Sequence, residues 1–351
     1  MKQKKRKLKD DTRWIKQLFV VILLVGLPAF MIYFNGKSAI SAIVWTKAKN
    51  ENFDANKRIE KRKDSNYNET ITNKSMYSIH YGIYDPQNKF YDYDKIKYEV
   101  VYISWLNYNS DSLSLKLRTL SNKNRVPVLV CEPWSKSDSK SDYLTEIYSA
   151  GYDSIIDRLV NILNDLNAEL LISWGHEMDQ DLTARYPWSG KNPEEFIKAY
   201  RYVVNYINNK STSSIKWIWA PVVKETCVNY WPGKDFVDFI GFPVYSFPEW
   251  DISYYGYIRD FKTTFLEKYE IVKSFNTPIM INEFGVTGNS DFSSFWINQA
   301  FKLFDEYPLL HSVIYFYSAD VPKAWGSNIS TPDWRIDKSV ITGLIDYYTQ
   351  N

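Results

Sequence analysis

Eight short apolar runs, spaced through the chain from residue 78 onward, decide what this sequence can fold into. The first four are 78–84 (SIHYGIY), 98–105 (YEVVYISW), 126–132 (VPVLVCE) and 169–175 (ELLISWG). The second four are 215–220 (IKWIWA), 237–245 (VDFIGFPVY), 278–284 (PIMINEF) and 312–318 (SVIYFYS). Each is a continuous run rather than an alternation, which is the pattern of a strand covered on both faces. A sheet of such strands needs helices on its outer side.

Helical patterns do lie between most of the runs. Residues 193–209 begin with Pro193, which suits a first helical turn, and place Phe196, Ile197, Tyr200, Val203, Val204 and Ile207 on one stripe. Residues 152–166 repeat the device, and further helices are predicted over 111–122, 257–274, 291–307 and 338–348. The first and fifth connections carry weaker patterns and read as mostly loop. Eight strands alternating with helices over roughly 250 residues specify a (β/α)8 TIM barrel. A doubly wound open sheet would place a Gly-rich phosphate turn after its first strand, and YGIYDPQN is not one.

The segment before the barrel has a different character. Residues 1–16 hold eight Lys or Arg against two Asp, a net +6 that leaves about −4 for the rest of a chain with formal charge +2. The body therefore lacks the basic footprint of a nucleic-acid binder. Leu18 to Phe34 (LFVVILLVGLPAFMIYF) has no charge, and with a basic flank it reads as a single transmembrane helix with its N-terminus inside. A signal peptide, with Ala39-Ile40-Ser41 as a weak cleavage site, is the other reading. Either one exports the body of the chain. The expected organisation is a cytoplasmic basic tail over 1–17, an anchor over 18–34, a polar stalk over 35–75 and the barrel over 76–351. The two cysteines, Cys131 and Cys227, exclude a disulfide-dense scaffold and read as unpaired thiols.

In a TIM barrel the chemistry sits at the C-terminal ends of the strands. Three glutamates fall there: Glu132 in CEPW, Glu177 in WGHEMD and Glu283 in INEFG. Trp105, Trp134, Trp174, Trp219, Tyr245 and Tyr317 surround them at the strand ends. Carboxylates among aromatic rings suit a sugar cleft, because rings stack on apolar sugar faces while a carboxylate pair cleaves the acetal. Each glutamate alone could equally be a solvated or helix-capping residue, and His80 reads as a core histidine. Metal catalysis is not expected. His176-Glu177 has no second His at helical spacing, and the chain has three histidines in all.

The pairing of a Glu after strand four with another at the end of strand seven resembles the large clan of retaining (β/α)8 glycosidases. That clan commonly has Asn before its acid Glu, whereas His176 stands here. His-Glu-Met, with GHEMD (175–179), WIWAPV (217–222), YWPGKDFVDFIGFPVYSF (230–247), INEFG (281–285) and DWRID (333–337), closely resembles glycoside hydrolase family 26 over residues 78 to 340. The resemblance implies Glu177 as acid/base, Glu283 as nucleophile, His176 as a ligand of the sugar or of the nucleophile, and Tyr245 as a hydrogen-bond donor to the nucleophile. It also implies a tryptophan on the cleft floor. Trp188 is the expected residue after His-Glu-Met, Trp325 and Trp334 compete after strand eight, and Glu132 and Trp134 are expected to bind substrate.

The expected protein is thus a membrane-anchored, extracellular endo-β-1,4-glycanase that needs no cofactor and cuts a mannan or glucan with retention. Its expected partners are the polysaccharide, the membrane and a polysaccharide synthase whose product it trims. A non-catalytic polysaccharide-binding or scaffolding barrel is the alternative. Loss of one catalytic carboxylate would mark it, and both are present.

Overall fold

A computed structural model of the chain describes residues 78–136, 143–166, 168–181 and 185–350. The expected anchor at Leu18–Phe34 and the stalk lie outside these residues. Among the described residues no helix is long and apolar enough to cross a membrane.

The eight apolar runs form eight strands, each within two residues of its expected bounds. They are β1 (His80–Tyr84), β2 (Tyr98–Ser104), β3 (Val126–Glu132), β4 (Leu170–Trp174), β5 (Ile215–Trp219), β6 (Phe239–Ser246), β7 (Ile279–Val286) and β8 (Leu310–Phe316). They pair in sequence order as a closed barrel. Every neighbouring pair is parallel, including β1 with β8, where His80 to Tyr84 pair with Ser312 to Phe316.

The helices among the described residues are α1 (Ser110–Asn122), α2 (Tyr143–Glu146), α3 (Asp153–Leu166), α4 (Pro193–Lys210), α5 (Pro248–Tyr255), α6 (Phe261–Val272), α7 (Ser290–Leu303) and α8 (Lys338–Gln350). Pro193 does open α4, and the Asn192 side chain accepts the Glu194 amide at 2.9 Å. The helix expected over 257–274 forms as α6 over Phe261–Val272, and α5 before it is an additional helix. Gly256 ends α5 in the left-handed conformation (φ 77°), and Asp260 restarts the chain as α6 by accepting the Thr263 amide at 2.7 Å. A left-handed glycine and an Asp cap are strong stop and start signals, and they keep α5 and α6 separate.

Two apolar cores result. One fills the barrel with Val100, Val128, Leu171, Ile218, Met280 and Ile314, and the other lies between barrel and helices. Cys131 and Cys227 are both buried and free.

The first connection has no helix, as expected, and a buried ion pair holds it. Arg125, at the start of β3, binds Glu99 of β2 and donates to the carbonyls of Phe90 (2.6 Å), Tyr91 (3.2 Å) and Tyr93 (2.8 Å). Lys116 adds a second cation to Glu99 at 2.7 Å. The guanidinium thus satisfies loop carbonyls that a helix would have bonded internally. Arg125→Met leaves buried Glu99 with Lys116 alone and three loop carbonyls without their donor, so the expected loss is roughly 3–5 kcal/mol. A urea titration should show this as a lower midpoint at unchanged slope. Arg125→Lys should recover only part, because one ammonium cannot span the carboxylate and three carbonyls.

Candidate active site

The ends of β4, β5, β6 and β7 bring the polar residues together at the barrel mouth. Beyond Trp174 the chain turns sharply through two left-handed residues, Gly175 (φ 62°) and Glu177 (φ 57°). For a non-glycine residue that conformation costs on the order of 1–2 kcal/mol, so surrounding contacts must impose it. They do. The Glu177 amide donates to the Ala220 carbonyl at 2.7 Å, and Ser189 Oγ donates to the Glu177 carbonyl at 2.7 Å. Buried Asp179 takes the amides of Val222 and Lys224, each at 2.8 Å. The end of β4 is thereby clipped to the segment that leaves β5.

Glu283 is held differently. The Tyr102 hydroxyl of β2 donates to Oε1 at 2.8 Å, and the Tyr245 hydroxyl of β6 donates to Oε2 at 2.8 Å. Its strand carries a bulge at this point. Phe242 pairs with Ile281 but Pro243 pairs with Glu283, so β7 has one extra residue, Asn282, and a matching shift appears against β8. A bulge re-aims the side chains beside it, and here it lies next to Glu283. Gly285 completes the arrangement, since a Cβ there would come within 2.8 Å of the Tyr245 ring. Only glycine lets that ring lie against β7 with its hydroxyl on Glu283.

The two glutamates have unlike electrostatic surroundings. Burial first, then the charges of Glu283 and Asp179, push the Glu177 carboxyl up to about 8, against the pull of Lys268 and Arg185. Burial also raises Glu283, but the Tyr102 and Tyr245 hydrogen bonds and Lys268 oppose that rise. Hydrogen bonds to a carboxylate favour its ionised form. Both tyrosines are themselves raised well above their ordinary value, by burial and by Glu283, so they remain donors. The two carboxyl groups are thus set apart, one pushed up to about 8 and the other held by two hydroxyl donors that favour its ionised form.

His176 is buried, and its Nε2 shares a 3.1 Å hydrogen bond with the Tyr186 hydroxyl. Burial, with a smaller push from Arg185, lowers it to about 3, so the ring is neutral. Its Nδ1 has no partner among the described residues, which leaves one nitrogen for a ligand hydroxyl. Glu132 ends β3 and accepts Trp134 Nε1 at 2.9 Å. Trp134 lies edge-on to Trp188 at 5.6 Å and beside Tyr186 at 6.0 Å, so Glu132 and Trp134 border the His176 side of the mouth. Among the described residues no group of three or more His, Cys, Asp or Glu could hold a metal ion.

The four tryptophans divide. Trp134 and Trp325 keep part of their surface exposed, whereas Trp188 and Trp334 are fully buried. This corrects the expectation that Trp188 floors the cleft. It stacks on Tyr186 at 4.6 Å and donates Nε1 to the His176 carbonyl at 2.6 Å, so it supports His176 from behind. Trp334 likewise offers no free face, being packed 4.3 Å from the Tyr245 ring. Trp325 donates to Asp320 at 2.8 Å and meets Tyr245 edge-on at 5.7 Å.

Tyr102, Tyr186, Asp179 and Lys268 were not singled out from the sequence. Two had a signal. Tyr102 shares the inward face of β2 with Tyr98 and Val100 at period two. Lys268 falls on the same stripe of α6 as Phe261, Thr264, Phe265 and Val272, all buried, where a lysine is out of place unless it has a task.

Residues 136–305 match the model for glycosyl hydrolase family 26. That span is a little under half of the chain. The chain is 22% identical over 230 residues to Endoglucanase H of Acetivibrio thermocellus, covering 62% of this chain and 23% of that protein. It is 25% identical over 153 residues to a beta-1,3-xylanase of Alcaligenes sp., covering 41% of this chain and 29% of that protein. The chain thus spans less than a third of these curated relatives. Among solved structures, the Cellulomonas fimi endo-beta-1,4-mannanase double mutant has a TM-score of 0.57 at 13% identity, over 78% of this chain and 71% of that one. At that identity the likeness concerns the fold.

Tyr245→Phe removes a hydrogen bond that favours ionised Glu283, so the Glu283 pKa should rise further. Carboxyl 13C NMR of glutamate-labelled protein reads the shift directly. Gly285→Ala should move it the same way by displacing the Tyr245 ring, and an unmoved resonance in both variants would show that the hydroxyl does not tune the carboxylate.

Proposed function

We propose that this barrel is a family 26 endo-β-glycanase that cleaves a β-linked polysaccharide with retention of configuration. The reading is carried by the unequal setting of the two glutamates. Glu283 has both carboxyl oxygens held by tyrosine hydroxyls, while Glu177 is pushed up to about 8. That is the division of labour the double displacement requires.

In the first step Glu283 attacks the anomeric carbon as Glu177 gives its proton to the departing glycosidic oxygen. The bond to the leaving sugar breaks and a glycosyl ester forms on Glu283. The ester carries no charge, so the part of the rise that came from Glu283 disappears, and Glu177, having given up its proton, is a carboxylate fit to act as base. It takes a proton from water, the water oxygen attacks the anomeric carbon, and Glu283 leaves as a carboxylate. Tyr102 and Tyr245 then recover their charged acceptor. His176 Nδ1, without a partner among the described residues, is suited to a sugar hydroxyl at the same centre.

The substrate class proposed is a β-1,4-linked mannan or glucan. A β-1,3-xylan is the comparison substrate, since one relative carries that name. We further propose an extracellular barrel tethered by Leu18–Phe34, because the uncharged run comes after a +6 segment. A tethered glycanase suits the trimming of an exopolysaccharide as it leaves a membrane synthase. Protease shaving of intact cells should release the barrel, and protection of the barrel would place it inside.

Glu283→Ala should abolish cleavage of every polymer, with azide restoring turnover to an inverted product. NMR of the product formed by the unaltered protein should show retained configuration at the first time points. An inverted first product would reject Glu283 as nucleophile.

The pH profile offers an independent check. Glu177 acts while protonated, so kcat/KM should fall as pH rises through about 8. Lys268 lowers both glutamates by its positive charge. Lys268→Met therefore should move both limbs of the profile to higher pH. A uniform loss of rate with unmoved limbs would mean that the lysine serves only the fold.

A further inference from the structure

Helix α5 is built inside out. An exposed helix ordinarily turns its apolar stripe to the core and its charges to water. In α5 the one buried residue is a carboxylate, Asp251, with 1% of its surface exposed. Its apolar and aromatic residues face outward: Ile252 is 37% exposed, Tyr254 72% and Tyr255 42%. An ion pair holds this orientation. Asp251 accepts the Arg259 amide and Nε, each at 3.0 Å, and Arg259 lies 4.2 Å over the Tyr255 ring. A buried ion pair that turns aromatic rings into water marks a surface that something else covers.

The rings are also continuous with the cleft. Tyr245, which holds Glu283, meets Trp325 at 5.7 Å, and Trp325 meets Trp250 of α5 at 5.5 Å. Trp250 then stacks on Tyr254 at 4.7 Å with an interplanar angle of 20°. The line of rings runs from the nucleophile's partner to the open face of the helix.

We infer that this face, centred on Trp250 and Tyr254, is a distal platform for the chain of a β-linked polysaccharide whose reacting bond lies between Glu177 and Glu283. The inference rests on the polysaccharide reading above. A pyranose chain presents apolar C–H faces with hydroxyl edges, which suits rings that carry phenol hydroxyls at their rim. A bilayer suits it poorly. Helix α5 carries Glu249 and Asp251 and no Lys or Arg, whereas helices that lie on anionic lipid are rich in basic residues. The platform gives long chains a grip that short oligosaccharides cannot use.

The test is affinity electrophoresis of the full chain carrying Glu283→Ala, so that polymer is bound without being cut, in gels containing β-mannan, mixed-linkage glucan or β-1,3-xylan. Adding Tyr254→Ala should weaken retardation by at least one polymer about 2- to 10-fold, and Trp250→Ala with Tyr254→Ala should weaken it further. Thermal melts of both variants control for folding, and at 72% exposure Tyr254 has little packing to lose. With Glu283 intact, Tyr254→Ala should raise KM on polymer and leave kcat on a short aryl glycoside unchanged. Equal retardation with and without Tyr254, or no retardation in any gel, overturns the platform. So does a Tyr254-dependent loss of vesicle binding or of self-association in place of polymer binding. Failure of the catalytic reading is distinct: retardation would persist while the protein with Glu283 intact released no new reducing ends.

Discussion

Closure of the sheet is the constraint on which everything else depends. The β1–β8 pairing, five residues long, turns eight parallel strands into a ring, and all eight C-terminal ends then open on one mouth. Without closure, Tyr102 on β2 and Glu283 on β7 would sit at opposite ends of a sheet. With it, the hydroxyl and the carboxylate meet at 2.8 Å. The barrel interior is filled by apolar side chains below this level, so polar residues concentrate where the packing ends.

The mouth gathers more negative charge than an apolar surround tolerates unaided. Glu177, Asp179 and Glu283 lie within electrostatic reach of one another, and Lys268 is the cation common to all three. Lys268 bonds a carbonyl of β6 beyond the end of the β5–β6 pairing. Pairing of β5 with β6 stops at Trp219 and Ile240, although β6 continues to Ser246. The chain beyond β5 turns to β4 instead, through Ala220, Val222 and Lys224. Lys268 Nζ bonds the Pro243 carbonyl of β6 at 2.6 Å, in register with Glu283. Burial lowers this lysine to about 8, and the carboxylates draw it back toward its charged form. One ammonium thus completes the strand's hydrogen bonding and balances the acids.

Strain and rigidity are distributed to match. Glu177 occupies a left-handed conformation held by contacts from β5 and from Ser189, while Glu283 comes directly after a bulge in β7. Both are local departures from ideal backbone, and both lie at residues whose direction matters. Trp188 and Trp334 occupy the layer behind, one under His176 and one against Tyr245. Rings expected to meet a sugar instead hold His176 and Tyr245 in place.

The sequence by itself determined the barrel, because eight continuous apolar runs separated by helical stripes leave few other solutions. Strand-end position also brought Glu132, Glu177 and Glu283 to one mouth, and only the resemblance to family 26 singled out Glu177 and Glu283 as the expected pair. The short helix α5 was not expected, although Pro248 and Gly256 mark its two ends. What only the tertiary structure decided was the surroundings of each side chain. Nothing in the spacing of Trp188, Trp325 and Trp334 tells which ring is buried, because that depends on how loops from different strands pack. Tyr102 reaches Glu283, 181 positions away in sequence, only through barrel closure. The acidity of Glu177 and the charge of Lys268 obey the same rule: burial and through-space charge set them, and both exist only once the strands have met.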